Sequence, residues 1–265
     1  MKIFHEPKVY LISRPNVCWQ GVSDFFEDMG GYGQPELPWE DGGMDAADSP
    51  SKEADLLVEF CGRMCYCSFG EKQGRRENKA YLENIIGQGH GSVLEHSNFT
   101  FLATQVSRGF THEMVRHRAG FAYSQESTHF IDYTDLSKAR FYLDPRTDDL
   151  ARAKDHLMNA IGAYSSLYKE VRAQGLKKKE ACSIARQLLP TAIEAKLAFT
   201  ANLRALRHFL VYRGGPANVL EIRQVACQVH TILQREAPSS LHGINQVTGE
   251  DGFSAIIADP GMGKV

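Results

Sequence analysis

Apolar residues recur along the chain with two periods, and the switches between those periods divide it into elements. Residues 8–15, a Lys-Val-Tyr-Leu-Ile-Ser-Arg-Pro run, read as a short first strand. Ala54, Leu57, Phe60, Cys61 and Met64 then return every three or four positions, which predicts a helix to about Tyr66 with those residues as its apolar face. Ser49-Pro50 supplies that helix with an N-cap and a first-turn proline. A second helix is expected over about 78–88, ended by Gly89. From Ser97 the run Asn-Phe-Thr-Phe-Leu-Ala-Thr-Gln-Val-Ser is β-rich and partly alternating and predicts a strand. A helix carrying residues 108–117 follows, then an aromatic, hydroxyl-rich stretch at 121–130. Residues 130–146 read as extended and loop structure with a strand at 139–143.

The second half is expected to be mostly helix. Residues 149–174 bring Leu150, Leu157, Ile161, Tyr164, Tyr168 and Val171 near one face before Gly175 stops the run. Further helices are predicted over 178–189, closed by Pro190, over 191–212 and over 219–236, with Arg213-Gly-Gly-Pro216 as the break between the last two. Residues 30–50 are rich in glycine, proline and acid and predict a mobile loop. No internal repeat or low-complexity tract interrupts the pattern, and residues 1–265 read as a single domain with that loop as an embellishment.

Composition narrows the class. With 265 residues, 43% of them hydrophobic, the chain can bury a sizeable core. A formal net charge of -2 argues against a general nucleic-acid binder, which needs a basic field. No stretch approaches the ~20 apolar residues of a membrane helix, and the opening MKIFHEPKVYLISRP lacks the apolar run of a signal peptide, so a cytoplasmic protein is expected. Cysteines 18, 61, 65, 67, 182 and 227 are too irregularly placed for a disulfide framework and read as reduced thiols. Cys61-Gly-Arg-Met-Cys65-Tyr-Cys67 lacks the paired knuckles of a zinc site and reads as a half-buried helix end.

Candidate chemistry is first bounded by what is missing. No Gly-x-Gly-x-x-Gly follows a strand and there is no P-loop. His112 and His117 are five apart instead of four, about 140° out of register round a helix, so His112-Glu113-Met-Val-Arg-His117 is not a zinc motif. Arg116-His117-Arg118 stands out. Three consecutive residues at a helix end fan over about 200°, so at least one cation is expected to turn towards a cleft. Arginine suits bidentate phosphate binding and stacking on planar rings, both of which a nucleotide offers. A basic helix end favoured by the helix dipole is the plainer reading of the tripeptide alone. Downstream, the segment from Ala122 to His129 offers hydroxyls and an amide, as a sugar or a base edge requires. Upstream, Gly89-His90-Gly91-Ser92-Val-Leu-Glu95-His96 sets two histidines and a glutamate round a glycine turn, where each histidine taken singly is more often structural than functional.

Together these motifs resemble the flavin-dependent thymidylate synthases. That family carries an Arg-His-Arg followed by a hydroxyl-rich loop ending in Ser, an upstream Gly-His-x-Ser/Thr-x-x-Glu-His and a downstream Arg before Glu-Ile-Arg. Here these are Arg116 to Arg118 with Ser127, Gly89 to His96, and Arg213 with Glu221-Ile222-Arg223, and the resemblance runs from about Ala54 to Pro238. It implies an α/β fold, a mixed sheet with a helical C-terminal half, and a homotetramer whose active sites are shared between subunits. The reaction it implies is C5 methylation of a uracil nucleotide, dUMP to dTMP, with FAD as cofactor and NADPH and 5,10-methylenetetrahydrofolate as co-substrates, and with neither a metal nor an enzymic cysteine nucleophile. Ser92, Arg116, His117, Arg118, Asn202, Arg204 and His208 match the flavin-contacting set. Arg116, Gln125, Ser127, Arg186 and Arg213 match nucleotide contacts, with Glu126 beside them in the same loop. His90 matches a position near nucleotide and folate, and Arg213 the residue that polarises the uracil and helps ionise N3.

The chain also departs from the family. The loop from Arg118 to Ser127 is one residue longer than usual. His129 stands where an Arg usually lies near the nucleotide phosphate, and an imidazole of pKa ~6.5 is only partly charged at neutral pH. Ala217 replaces a His near the flavin, and Glu113 replaces a common Gln among the substrate contacts. These changes leave two alternatives to dUMP methylation: methylation of UMP in a specialised nucleoside pathway, and a catalytically inactive nucleotide-binding relative.

Overall fold

The structure is a computed structural model that describes residues 1–28 and 52–262. The loop expected at 30–50 lies outside the described residues, and the helix expected to open at Ser49-Pro50 begins instead at Glu53, with extended Lys52 as its N-cap and no side-chain cap. In chain order the elements are β1 (Lys2–Phe4), β2 (Lys8–Ser13), α1 (Trp19–Asp28), α2 (Glu53–Tyr66), α3 (Asn78–Gly87), β3 (Asn98–Thr104), α4 (Arg108–Met114), β4 (Phe121–Gln125) and β5 (Arg140–Tyr142). There follow α5 (Leu150–Ala173), α6 (Lys178–Ala185), β6 (Leu197–Asn202), α7 (Leu203–Gly214), α8 (Leu220–Glu236), β7 (Ile244–Thr248) and β8 (Ser254–Ala258).

A four-stranded antiparallel sheet in the order β2-β3-β6-β4 frames the molecule. Strand alternation points Phe99, Phe101 and Ala103 of β3, and Leu197, Phe199 and Ala201 of β6, into one core. Phe101 and Phe199 are directly opposite, with ring centroids 5.3 Å apart. On the other face the hydroxyls of Thr100 and Thr200 meet at 2.9 Å. Leu206, Phe209 and Leu210 of α7 and Ile222, Val225 and Val229 of α8 complete that core. A second apolar cluster, including Phe141, Leu157, Ile161, Tyr164 and Ala185, joins the parallel β1–β5 pair to α5 and α6. Antiparallel and parallel pairings together give the mixed α/β architecture that the sequence implies.

Four further expectations need correction. The helix expected over 191–212 is a strand followed by a helix. Leu197, Phe199 and Ala201 are buried and alternate with half-buried Ala198, Thr200 and Asn202, a period of two that alanine's helical preference disguises. Asn202 then caps α7, its Oδ1 accepting from the Ala205 N–H at 2.9 Å. The helix expected over 108–117 stops at Met114, so Arg116-His117-Arg118 lies beyond it. The α2 face is rotated: Leu56 and Val58 are buried with Asp55, Glu59 and Arg63, while Leu57, Phe60 and Cys61 are half-buried and Met64 is exposed. That rotation is tolerated because each buried charge is satisfied. Asp55 accepts from Ser239 N, Ser240 N and Ser240 Oγ, and Glu59 receives Arg63 and Asn78 Nδ2. Finally, β7 and β8 form a hairpin where no strand was expected. It packs so closely on the end of α7 that a Cβ on Gly214 would collide with Ile256. On α5, Leu150 is exposed while Leu157, Ile161, Tyr164 and Val171 are buried as expected.

Candidate active site

The site is organised by the short helix α4 and the turn that ends it. Ser107 caps α4, its Oγ accepting from the Phe110 N–H at 2.9 Å. The Glu221 carboxylate receives both the N–H and the hydroxyl of Ser107, at 2.5 and 2.7 Å. Burial pushes Glu221 up to about 7, only partly offset by those two bonds. Past Met114 the chain turns, and Tyr123 of β4 clamps the turn by donating its hydroxyl to the carbonyls of Met114 and His117 at 2.8 and 2.5 Å. Gly120 closes it at φ +72°, where a Cβ would sit 2.8 Å from both the Ala205 Cβ and the Asn202 Nδ2.

In this turn Arg116 and Arg118 are exposed and His117 is buried between them. The His117 ring is enclosed by Phe121, His208, Phe209 and Tyr212. Arg213 donates Nε to His117 Nε2 at 3.0 Å and Nη1 to Glu113 Oε2 at 3.3 Å. A ring nitrogen that accepts from a guanidinium carries no proton of its own. Desolvation, then Arg213 and His208, lowers the His117 pKa to about 4, so the imidazole is neutral at pH 7.

Glu113, Arg116, His117, Arg118, Asn202, Arg204, His208 and Arg213 line one cleft of about 1030 Å³. The N-terminus of α7 opens onto it, and His208 and Tyr212 stack along one wall with ring centroids 5.5 Å apart and planes at 16°. Arg204 pairs with Glu95 at 2.6 Å and also lines an adjoining pocket with His90 and Ser92. The cleft therefore gathers the expected cofactor set, with Ser92 and His90 one pocket away.

Gln125, Glu126, Ser127, His129 and Arg186 do not line this cleft. They gather at the other end of β4, five residues or roughly 17 Å of strand from the Gly120 turn. Gln125 Nε2 donates to Thr111 Oγ1 at 2.9 Å, Arg186 Nη1 to Thr128 Oγ1 at 3.1 Å, and the His129 N–H to Ser127 Oγ at 3.4 Å. Glu126 pairs with Lys196 at 2.7 Å and so faces a cation of its own chain. Partial desolvation, followed by Arg186, Lys179 and Arg108, holds the half-buried His129 below the usual histidine range.

Arg108 escaped the motif reading. Its Nη1 is buried without a hydrogen-bond partner, and it lies close enough to His129 to depress its pKa. An orphaned guanidinium nitrogen beside Arg186, Lys179 and His129 is suited to an anion. In sequence the signal was an Arg directly after the Ser cap, a position where a cation opposes the helix dipole and so calls for a reason. Tyr212 and Tyr66 were also missed, because an aromatic on a helix reads as core until its exposure is known. Ala217, on the exposed loop after α7, lines neither the main cleft nor the adjoining pocket.

Comparisons with known proteins add to this geometry. The family described as Thymidylate synthase complementing protein matches residues 49–239. The chain is 35% identical over 230 residues to the flavin-dependent thymidylate synthase of Mycobacterium tuberculosis, covering 82% of this chain and 87% of that protein. With the flavin-dependent thymidylate synthase of Mycobacteroides abscessus the identity is 34% over 236 residues, 84% of this chain and 90% of the other. Among solved structures, the UMP/dUMP methylase PolB from Streptomyces cacaoi bound with 5-Br UMP has the same fold at a TM-score of 0.61 and 19% identity, covering 91% of this chain and 94% of that one. The same methylase bound with 5-Br dUMP gives a TM-score of 0.58 at 21% identity, covering 91% and 95%.

Proposed function

The chain belongs to the flavin-dependent thymidylate synthase family of methyltransferase-type enzymes, and from that premise we propose that it methylates C5 of a uracil nucleotide, dUMP to dTMP. FAD is the cofactor in this reading, with NADPH and 5,10-methylenetetrahydrofolate as co-substrates. The observation that carries it is the neutral His117 fastened to Arg213 in a cleft rimmed by Arg116 and Arg118.

The cleft fits a planar, phosphorylated cofactor. Its volume of about 1030 Å³ lies at the upper end of the roughly 300–1,000 Å³ typical of small-molecule sites. The stacked His208 and Tyr212 give a flat wall, while Arg116, Arg118 and the N-terminus of α7 suit phosphates. When bound, FAD supplies the hydride that completes the new methyl group. Arg213 has five N–H donors, of which His117 and Glu113 take two, so the others remain for a ligand. A fixed cation of this kind stabilises negative charge developing on the uracil. His117, being neutral, orients the guanidinium without adding a competing charge.

Arg108, Arg186 and His129 take the nucleotide phosphate in this reading, assisted by Ser127 and Gln125. The same reading takes the protein as a homotetramer whose active sites are shared between protomers, as the family implies. The test is product analysis with dUMP and UMP side by side, in the presence of FAD, NADPH and methylenetetrahydrofolate. Formation of dTMP is expected. Methylation of UMP in preference would move the substrate to the ribonucleotide. Failure with both, in a protein whose flavin does not bleach with NADPH, would leave a nucleotide-binding relative without catalysis.

A further inference from the structure

Arg213 lies on the last turn of α7, next to the Gly214-Gly215-Pro216 break. The final carbonyls of a helix have no partner within it, so a side chain there is only as well placed as the contacts that hold that end. Glycine and proline side chains offer no hydrogen bonds for the purpose. The holding contacts come from residues later in the chain.

Gly214 lodges against the β7–β8 hairpin, where a Cβ would overlap the buried Ile256 side chain. Asn218 Nδ2 donates back to the carbonyls of Tyr212 and Gly215 at 3.1 and 3.2 Å. Arg223 of α8, 1% exposed, then spans from the break to the hairpin. Its Nη1 donates to the Pro216 carbonyl at 2.8 Å, and its Nη2 donates to the Asp251 carboxylate in the hairpin turn. Asp251 is itself held, its Oδ1 accepting from the Phe253 N–H at 3.2 Å, while the Gly249 N–H donates to the Phe253 carbonyl at 2.8 Å and closes the turn. Two acceptors in different directions call for a forked guanidinium, which lysine does not provide. Neither Arg223 nor Asp251 lines the main cleft. Arg223 ends the Glu221-Ile222-Arg223 motif, yet the proposed reaction gives it no part.

We propose that Arg223 and Asp251 are positioning residues, a clamp through which the β7–β8 hairpin fixes Arg213 on the cleft from outside it. The catalytic consequence rests on the proposed reaction, whereas the structural consequence rests only on the contact between Arg213 and His117. Truncating Asp251 leaves a buried guanidinium without its carboxylate, which destabilises the clamp and lets the break shift.

The test is an imidazole NMR titration of His117 in the full-length protein, paired with kcat and KM for the uracil nucleotide in the presence of FAD, NADPH and methylenetetrahydrofolate. Desolvation, then Arg213, holds His117 at about 4. Asp251→Ala and Arg223→Lys should each raise that value by roughly 0.5 or more. Each should also lower kcat roughly tenfold with KM within about threefold, because Arg213 acts on charge that develops during the reaction. Direct electrostatics predicts the reverse titration for Asp251→Ala, since losing a negative charge depresses a histidine pKa. Asp251→Asn keeps an oxygen acceptor for Arg223 and should restore most of the wild-type behaviour. Asn78→Ala, which removes a buried donor to Glu59 on α2, is the control for general loosening. It should lower the unfolding midpoint and leave His117 and kcat unchanged.

A His117 pKa that stays fixed in Asp251→Ala and Arg223→Lys, or that rises as far in Asn78→Ala, overturns the clamp. So does a wild-type kcat in a variant whose His117 pKa has risen. A wild type that methylates neither UMP nor dUMP refutes the reaction, and the titration alone then decides the clamp.

Discussion

His117 and His129 both lie below the usual histidine range, in different surroundings. His117 is buried and accepts a hydrogen bond from Arg213, so its low pKa of about 4 keeps a cation fixed on the cleft. Replacing Arg213 by Gln should cut turnover by about 100-fold or more, the usual cost of losing a fixed electrostatic donor. The same change should raise the His117 pKa, because Arg213 is one of the groups that depress it. An imidazole NMR titration that does not move would sink the pairing. His129, by contrast, faces Arg186, Lys179 and Arg108, whose repulsion an anion would relieve. It is uncharged at pH 8 and gains charge as the pH falls, whereas arginine is charged throughout. His129→Arg should therefore tighten nucleotide binding by roughly tenfold at pH 8 and by less at pH 6. Identical gains at both values would remove protonation from the account.

At the scale of elements, α4 joins the two halves of the site. Its N-terminal end carries Arg108 towards the cation cluster, and its C-terminal turn delivers Arg116 to Arg118 into the cleft. The Ser107 cap, held in turn by Glu221 of α8, fixes the whole segment. Ser107→Ala removes the cap, worth ~1 kcal/mol, and deprives a buried carboxylate of a donor, worth ~1–3 kcal/mol. A stability loss of roughly 2–4 kcal/mol in urea denaturation is expected, together with weaker nucleotide binding through Arg108. A loss below about 1 kcal/mol would mean that Glu221 does not depend on this contact.

Across the whole molecule, buried ionisable groups tie stability to pH in two directions. Glu221 is raised from 4.5 to about 7, and Asp55 from 3.8 to about 6, chiefly by burial. A carboxyl group raised on folding stabilises fully below its unfolded pKa, and that contribution is lost as pH rises through the folded value. His117, lowered from 6.5 to about 4, acts in the opposite sense, and its contribution is lost as pH falls through that window. The stability difference between wild type and Glu221→Gln should therefore shift against the wild type between pH 4.5 and 7, by on the order of 3 kcal/mol. Denaturant midpoints measured across that range check this, and parallel curves for the two proteins would refute it.

The sequence by itself determined several of the local elements and the family. Spacing alone located α2, α3, β3 and the long helix α5, since these depend on periodicity within a few residues. Arg116-His117-Arg118, Arg213 and the Gly89 to His96 segment were legible because they are contiguous and chemically unusual. Only the tertiary structure decided what lies far apart in the chain. Leu197 to Asn202 is a strand because β3 and β4 flank it and complete its hydrogen bonds, which outweighs the helical preference of its alanines. The buried face of α2 is charged because Ser239, Ser240 and Asn78 arrive from elsewhere to satisfy it. Arg108 became a candidate ligand only when folding buried its Nη1 without a partner near His129, since burial and pairing are properties of neighbours that a linear pattern does not contain.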